Sequence, residues 1–257
     1  MKVNSETSAT TFSVADDLCP ESPILNTGES PRSYGETTRP YLNLAAPVHE
    51  LRSFRFVRPW FKSQPVLDLG CAAGTYLRHF ATGSIGVDIS TPNLEQCRHL
   101  GLQVMPSDLN RELPFAAETF SNVFCSHVLE HVDAPINLLR ECFRILKPDG
   151  LLVLGLPIEG SVVNWLRGEG YFYHHQGHLY SFSLNNINVL LAKTGFQTIR
   201  FYFEPRLLRV RLWLALMQKL PSSFMYPLAL GYWVVAQKGA APIQSRVDSA
   251  GDGCELA

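Results

Sequence analysis

The stretch Pro65-Val-Leu-Asp-Leu-Gly-Cys-Ala-Ala-Gly74 constrains the fold of this chain more than any other. Val66-Leu-Asp-Leu69 is a short apolar run of strand length, and it ends at a glycine-rich turn. The residues after the turn read as the start of a helix. Twenty residues beyond Asp68, Asp88 closes a second short run, Ser84-Ile-Gly-Val-Asp88. A strand, a tight turn, a helix and a second strand ending in a carboxylate make one unit of a parallel sheet.

The same alternation continues downstream. The pattern predicts a helix over Thr75 to Ala81, and a second helix with Thr91 as cap and Pro92 at its first position. Strands follow over Leu102–Met105, Asn122–Ser126 and Leu151–Leu154. A helix over Ala134 to Leu146 is stopped by Lys147-Pro-Asp-Gly150, and another over Leu184 to Lys193 ends at Gly195. Two late strands span Phe196–Phe203 and Tyr232–Gln237. Strands alternating with helices imply an α/β fold: a mostly parallel sheet covered on both faces. Ligands of such sheets bind outside the carboxyl ends of the strands, where the strand order switches. The turn after Leu69, Asp88 and the turn after Cys125 fall on that rim.

Residues 1–40 are rich in Ser, Thr, Glu, Gly and Pro, and read as a flexible leader. Residues 41–240 hold the domain, with a cap over about 157–183, and residues 241–257 read as a flexible tail. At 257 residues, 46% hydrophobic and 18% charged, the chain has the composition of a soluble globular protein. A net charge of -1 gives no electrostatic footprint of a general nucleic-acid binder. The six cysteines form no Cys-x-x-Cys pair and no zinc-finger spacing, which fits a reducing, cytoplasmic compartment.

The chemistry of the first turn narrows the ligand. A carboxylate at the position of Asp88 can accept hydrogen bonds from both hydroxyls of a ribose. A dinucleotide site needs Gly-x-Gly-x-x-Gly, whereas Gly70 and Gly74 have a different spacing. A phosphate loop needs Gly-Lys-Ser/Thr, and none follows. Asp68 at the strand end repels a pyrophosphate and suits a cation, such as an amino group or a sulfonium. Taken alone, the turn also fits a purely structural bend in another doubly wound fold.

Several segments together carry a more specific likeness. Pro65–Gly74 resembles motif I of class I S-adenosyl-L-methionine-dependent methyltransferases, small-molecule branch. Gly86-Val-Asp-Ile-Ser90 resembles their ribose-binding acidic motif, and Ser107-Asp108-Leu109 their adenine-contacting turn. Thr119–Val132, Leu138–Val153, His178–Leu184 and Leu191–Phe196 resemble later segments of the same branch. The resemblance implies a Rossmann-like seven-stranded sheet with an antiparallel last strand. It also implies S-adenosyl-L-methionine as cofactor, held by Asp68, Gly70, Ala72, Gly74, Asp88, Ile89, Asp108, Leu109 and Ser126. Ala72 stands where the family often has glycine; alanine is tolerated there if its backbone φ is negative.

The implied reaction is methyl transfer to a small-molecule acceptor, with O-methylation of a glycan, lipid or secondary metabolite favoured. A hydroxyl acceptor needs a general base, and His178, His127 and His131 are the candidates. Against a catalytic role, His131 at a helix start can simply cap backbone groups. A His178→Ala change is expected to lower turnover far more than cofactor affinity. No metal is expected; His127, Glu130 and His131 form the alternative of a divalent-ion cluster, which unchanged activity after chelation dismisses. His174 and His175 lie nearby, and Trp165, Tyr171, Phe172, Tyr173, Tyr180 and Phe182 either line an apolar acceptor pocket or pack as a lid. The basic, apolar stretch 206–220 either packs as a helix or meets a membrane surface or lipid-linked acceptor. Two rival functions remain: a non-catalytic methyltransferase-like binding module, and a protein or RNA methyltransferase. Neither an Asn-Pro-Pro-Tyr-type motif nor a basic patch supports the second.

Overall fold

The computed structural model describes residues 48–159, 161–162, 178–205 and 219–239. The leader, the tail, most of the cap with His174, His175 and its first four aromatics, and nearly all of 206–220 lie outside the described residues.

Seven strands form one sheet: β1 (Leu67–Leu69), β2 (Ile85–Asp88), β3 (Gln103–Pro106), β4 (Phe120–Ser126), β5 (Leu146–Pro157), β6 (Phe196–Pro205) and β7 (Ala229–Lys238). Their spatial order is β3-β2-β1-β4-β5-β7-β6. The first five run parallel, and β7 runs antiparallel to both β5 and β6. The expected mostly parallel sheet with an antiparallel last strand is therefore present. The order reverses between β1 and β4, which puts the switch point at the glycine-rich turn.

Strand alternation sorts the core into two layers. Along β4, Val123 and Cys125 face one side and Phe124 the other; along β7, Tyr232, Val234 and Ala236 face one side and Trp233 and Val235 the other. The first side packs against α3 (Pro135–Ile145) and α4 (Leu184–Lys193). Leu138, Leu139, Cys142 and Ile145 recur at helical spacing and form the buried stripe of α3. Pro135 occupies its first turn, where a missing N–H costs nothing. In α4 the Ser183 hydroxyl accepts from the Asn186 N–H at 3.2 Å, capping a helix that buries Ile187 and Leu191. The second side is aromatic. Phe54 and Val57 of α1 (Val48–Val57) join Phe61, Tyr76, Phe124 and Trp233. Ser53 donates to Glu204 at 2.5 Å and accepts from the Trp233 indole at 2.9 Å, so the buried polar groups of this layer satisfy one another.

Three local expectations are corrected. Thr75 to Ala81 is not a helix: it is a series of turns with one 3-10 turn at Leu77–His79. Gly74 and Gly83 enclose only eight residues, enough for about two helical turns at most. In α2 (Thr91–His99), Ser90 rather than Thr91 is the cap, and its side chain makes no capping bond. Lys147-Pro-Asp-Gly150 does not separate α3 from β5. The strand already begins at Leu146, paired with Phe120, and pairing resumes at Leu151 with Asn122. The breaker residues thus bulge out of a continuing strand, with Asp149 at φ 61°.

Candidate active site

The carboxyl ends of β1, β2 and β4 place the residues singled out from the sequence on one rim. Leu69 pairs with Val87 and with Cys125, so Gly70, Asp88 and Ser126 follow side by side. The N–H groups of Gly70 and Cys71 both donate to the Val87 carbonyl, at 2.8 and 3.0 Å, which folds the turn back over β2. Asp88 then clasps it: one carboxylate oxygen accepts from the Ala72 N–H and the other from the Ser90 N–H, each at 2.8 Å. Each oxygen keeps a further acceptor site for a ligand hydroxyl. Beneath the turn, the Cys97 thiol donates to the Ala72 carbonyl at 3.3 Å. Burial pushes the Cys71 and Cys97 thiols up, so both act as packing groups here.

The two glycines answer to the protein's own packing. Gly70 has φ 68°, and a Cβ there would lie 2.4 Å from Cγ2 of Val128. Gly74 has φ 78°, and its Cβ would lie 2.5 Å from Cδ1 of Leu102. Ala72 departs from expectation. Its φ is +45°, in the left-handed region that favours glycine, not the negative angle on which alanine was judged tolerable.

Asp68 is the electrostatic centre of the rim. It is buried, and its Oδ2 has no hydrogen-bond partner. Burial, and then the negative charge of Asp88, raise its carboxyl well above the usual carboxylate range. The Ser126 hydroxyl, one strand over, is buried and likewise unsatisfied. Native structures rarely leave such groups orphaned, so both point to a polar ligand. An ammonium suits this chemistry: it donates to an orphaned acceptor and offsets the negative charge of Asp68 and Asp88. Ile89, more than half exposed, and Leu109, partly buried against the core, flank Asp88 and Asp108. Asp108 accepts from the Asn110 N–H at 3.0 Å and lies 3.4 Å from Arg111.

A second group of side chains sits past the ends of β4 and β5. No helix begins at His131; residues 127–134 form turns, and α3 starts only at Pro135. His127 takes φ 53° and donates its N–H to the Gly155 carbonyl at 2.9 Å, and its Nδ1 lies 3.4 Å from the fully buried Glu130 carboxylate. Burial alone would raise the Glu130 carboxyl, but the hydrogen bond and charge of His127, its own N–H and the charge of His131 bring it below its ordinary value. The Glu130 carbonyl accepts from the N–H groups of Leu179 and Tyr180, at 2.8 and 3.3 Å, and the Tyr180 hydroxyl donates to the Asp133 carbonyl at 2.7 Å. These bonds dock residues 178–183 onto the turn after β4. They bring His178 ring-to-edge against His131, with centroids 4.8 Å apart. Polar atoms of Glu130, His131 and His178 converge within 4.8 Å, whereas the sequence had grouped His127 with Glu130 and His131.

One residue of this cluster escaped the sequence reading. Glu159 lies two residues past β5, and its Oε1 is 2.7 Å from Nδ1 of His178, both side chains nearly buried. The only signal was an acidic residue directly after an apolar strand on the ligand-binding rim.

Residues 67–154 match the family described as "Methyltransferase domain". A ubiquinone biosynthesis O-methyltransferase of Haemophilus ducreyi is 32% identical over 126 residues, covering 42% of this chain and 53% of that protein. The chain thus spans about half the length of the curated relatives it matches. A structure described as a SAM-dependent methyltransferase from Archaeoglobus fulgidus superposes with a TM-score of 0.55 at 24% identity, over 74% of this chain and 94% of that one. The [4+2]-cyclase SpnF superposes with a TM-score of 0.51 at 18% identity, over 77% and 85%. One fold therefore carries more than one chemistry, and the site must argue the reaction. The matched segment and the strand order agree: residues 67–154 are similar to the methyltransferase-domain family, and the chain shares the fold of the S-adenosyl-L-methionine-dependent methyltransferase structure on which it superposes.

Proposed function

We propose that this protein binds S-adenosyl-L-methionine and transfers its methyl group to a hydroxyl of a small-molecule acceptor, releasing S-adenosyl-L-homocysteine. The observation that carries the reading is the buried, unpartnered Oδ2 of Asp68 beside Asp88 at the switch point. Two carboxylates there disfavour a phosphate and favour a cationic amino acid joined to a ribose. Asp68 and Ser126 would take the amino acid end, Asp88 the ribose hydroxyls, and Ile89, Asp108 and Leu109 the adenine. When bound, the cofactor supplies an electrophilic methyl carbon on a sulfonium. His178 is the base that receives the acceptor proton, while His127 and His131 shape the wall beside it.

The hydroxyl acceptor is supported by the Haemophilus ducreyi relative, which is named an O-methyltransferase. A glycan, lipid or secondary metabolite remains the favoured class. Among the described residues four cysteines are free and buried, which suits a reducing cytoplasm, and no helix is long and apolar enough to cross a membrane.

Calorimetry with S-adenosyl-L-homocysteine tests the first half, and absence of binding refutes it. Radiolabelled methyl transfer to a simple catechol, 3,4-dihydroxybenzoate, tests the second. Binding without transfer to this or any other hydroxyl compound returns the protein to the rival of a non-catalytic binding module.

A further inference from the structure

We propose that Glu159 is the positioning residue for His178, fixing the imidazole so that Nε2 carries the free lone pair. The inference rests on His178 being the base. The Oε1–Nδ1 distance is 2.7 Å, and the side chains are 9% and 6% exposed for Glu159 and His178. A carboxylate only accepts hydrogen bonds, so Nδ1 must hold the proton and Nε2 is the basic atom. The two residues reach each other from different elements, Glu159 from the end of β5 and His178 from the segment docked on Glu130. A fixed tautomer is what a base held beside an acceptor needs, and a carboxylate on the far nitrogen also stabilises the imidazolium that forms.

The acceptor O–H bond breaks and its proton moves to Nε2. The electron pair left on oxygen forms the new O–CH3 bond. The S–CH3 bond breaks with its pair remaining on sulfur, leaving a neutral thioether. The imidazolium, matched by the Glu159 carboxylate, then returns its proton to solvent.

Nitrogen-15 NMR of the full-length, histidine-labelled protein reads the tautomer without any acceptor. The wild type is expected to show His178 protonated at Nδ1, with a downfield Nδ1–H resonance that E159Q loses and E159D keeps. In transfer to 3,4-dihydroxybenzoate, E159Q is expected to lower kcat about 10- to 100-fold at unchanged KM for the cofactor, with E159D recovering most of it. A contact serving only to pin the segment would leave kcat intact, because a glutamine amide keeps a hydrogen bond to Nδ1 as either donor or acceptor, whereas only a carboxylate, which can only accept, holds the proton on Nδ1. An Nε2-protonated His178 in the wild type overturns the proposal even if a variant fails to fold. If H178A transfers normally, the base assignment itself falls; if H178A is slow but E159Q matches wild type in kcat and tautomer, only the role of Glu159 falls.

Discussion

Replacing Ala72 by glycine measures how the first turn is held. Ala72 sits at φ +45°, where its Cβ crowds the following carbonyl. That conformation costs a non-glycine residue about 1–2 kcal/mol. Glycine loses about 0.4–1 kcal/mol of that gain through its larger freedom in the unfolded chain. The side chain is only half-buried, so the methyl removed carries little packing. The net expectation for Ala72→Gly is a gain of about 1 kcal/mol, or roughly 2–4 °C in Tm for a domain of this size. Calorimetric melting and urea unfolding read it, with the urea slope unchanged if only the folded state is relieved. The Asp88 clasp on the residue-72 N–H survives in the variant, so affinity for S-adenosyl-L-homocysteine should hold or rise. A lower Tm refutes the reasoning, because it means that residue 72 adopts a negative φ in solution and that the clasp is drawn differently.

Asp68→Asn separates folding from binding. Its carboxyl is raised, so the neutral form is the one that the fold prefers; stability is full below the ordinary carboxylate range and falls as pH rises through the raised value. The asparagine variant should lack this loss, melting higher than wild type at neutral pH, while binding S-adenosyl-L-methionine at least about 30-fold more weakly, as expected for losing one half of a buried charge pair. Equal affinity by calorimetry would sink the cationic-ligand reading. Gly70→Ala is expected to cost about 2–3 kcal/mol, part from φ 68° and part from the 2.4 Å approach to Val128. Urea unfolding of Gly70→Ala with Val128→Ala should show partial recovery relative to the two single changes added together, and strict additivity would deny the contact.

The rim was legible because each of its parts is local in sequence. Asp68 follows an apolar run, Asp88 ends the next, and the glycine spacing tells one ligand from another. The sign of φ at Ala72 was not legible, since it is set by Asp88 drawing in the residue-72 N–H from the neighbouring strand. The bulge at Lys147–Gly150 was read as a boundary because proline and glycine punctuate helices and strands alike, and only the pairing of Leu146 with Phe120 shows that the strand had already begun. Glu159 was missed for the same reason that its role is specific. Its partner lies nineteen residues away, in a segment that hydrogen bonds to the Glu130 carbonyl carry into reach.

The insertion of β7 between β5 and β6 bears on how the chain is made. Residues 229–238 fill an interior slot of the sheet, and Trp233 there stacks on Phe124 at 5.4 Å. Until those residues leave the ribosome, β5 presents an unpaired edge, and the aromatic layer under α1 lacks its central ring. A nascent chain that has already assembled β1 to β5 must therefore hold an open, apolar edge for the time taken to synthesise some eighty more residues, at about 5–20 residues per second. That interval of seconds is the window in which a chaperone, or a second nascent chain, competes for the slot that β7 will take.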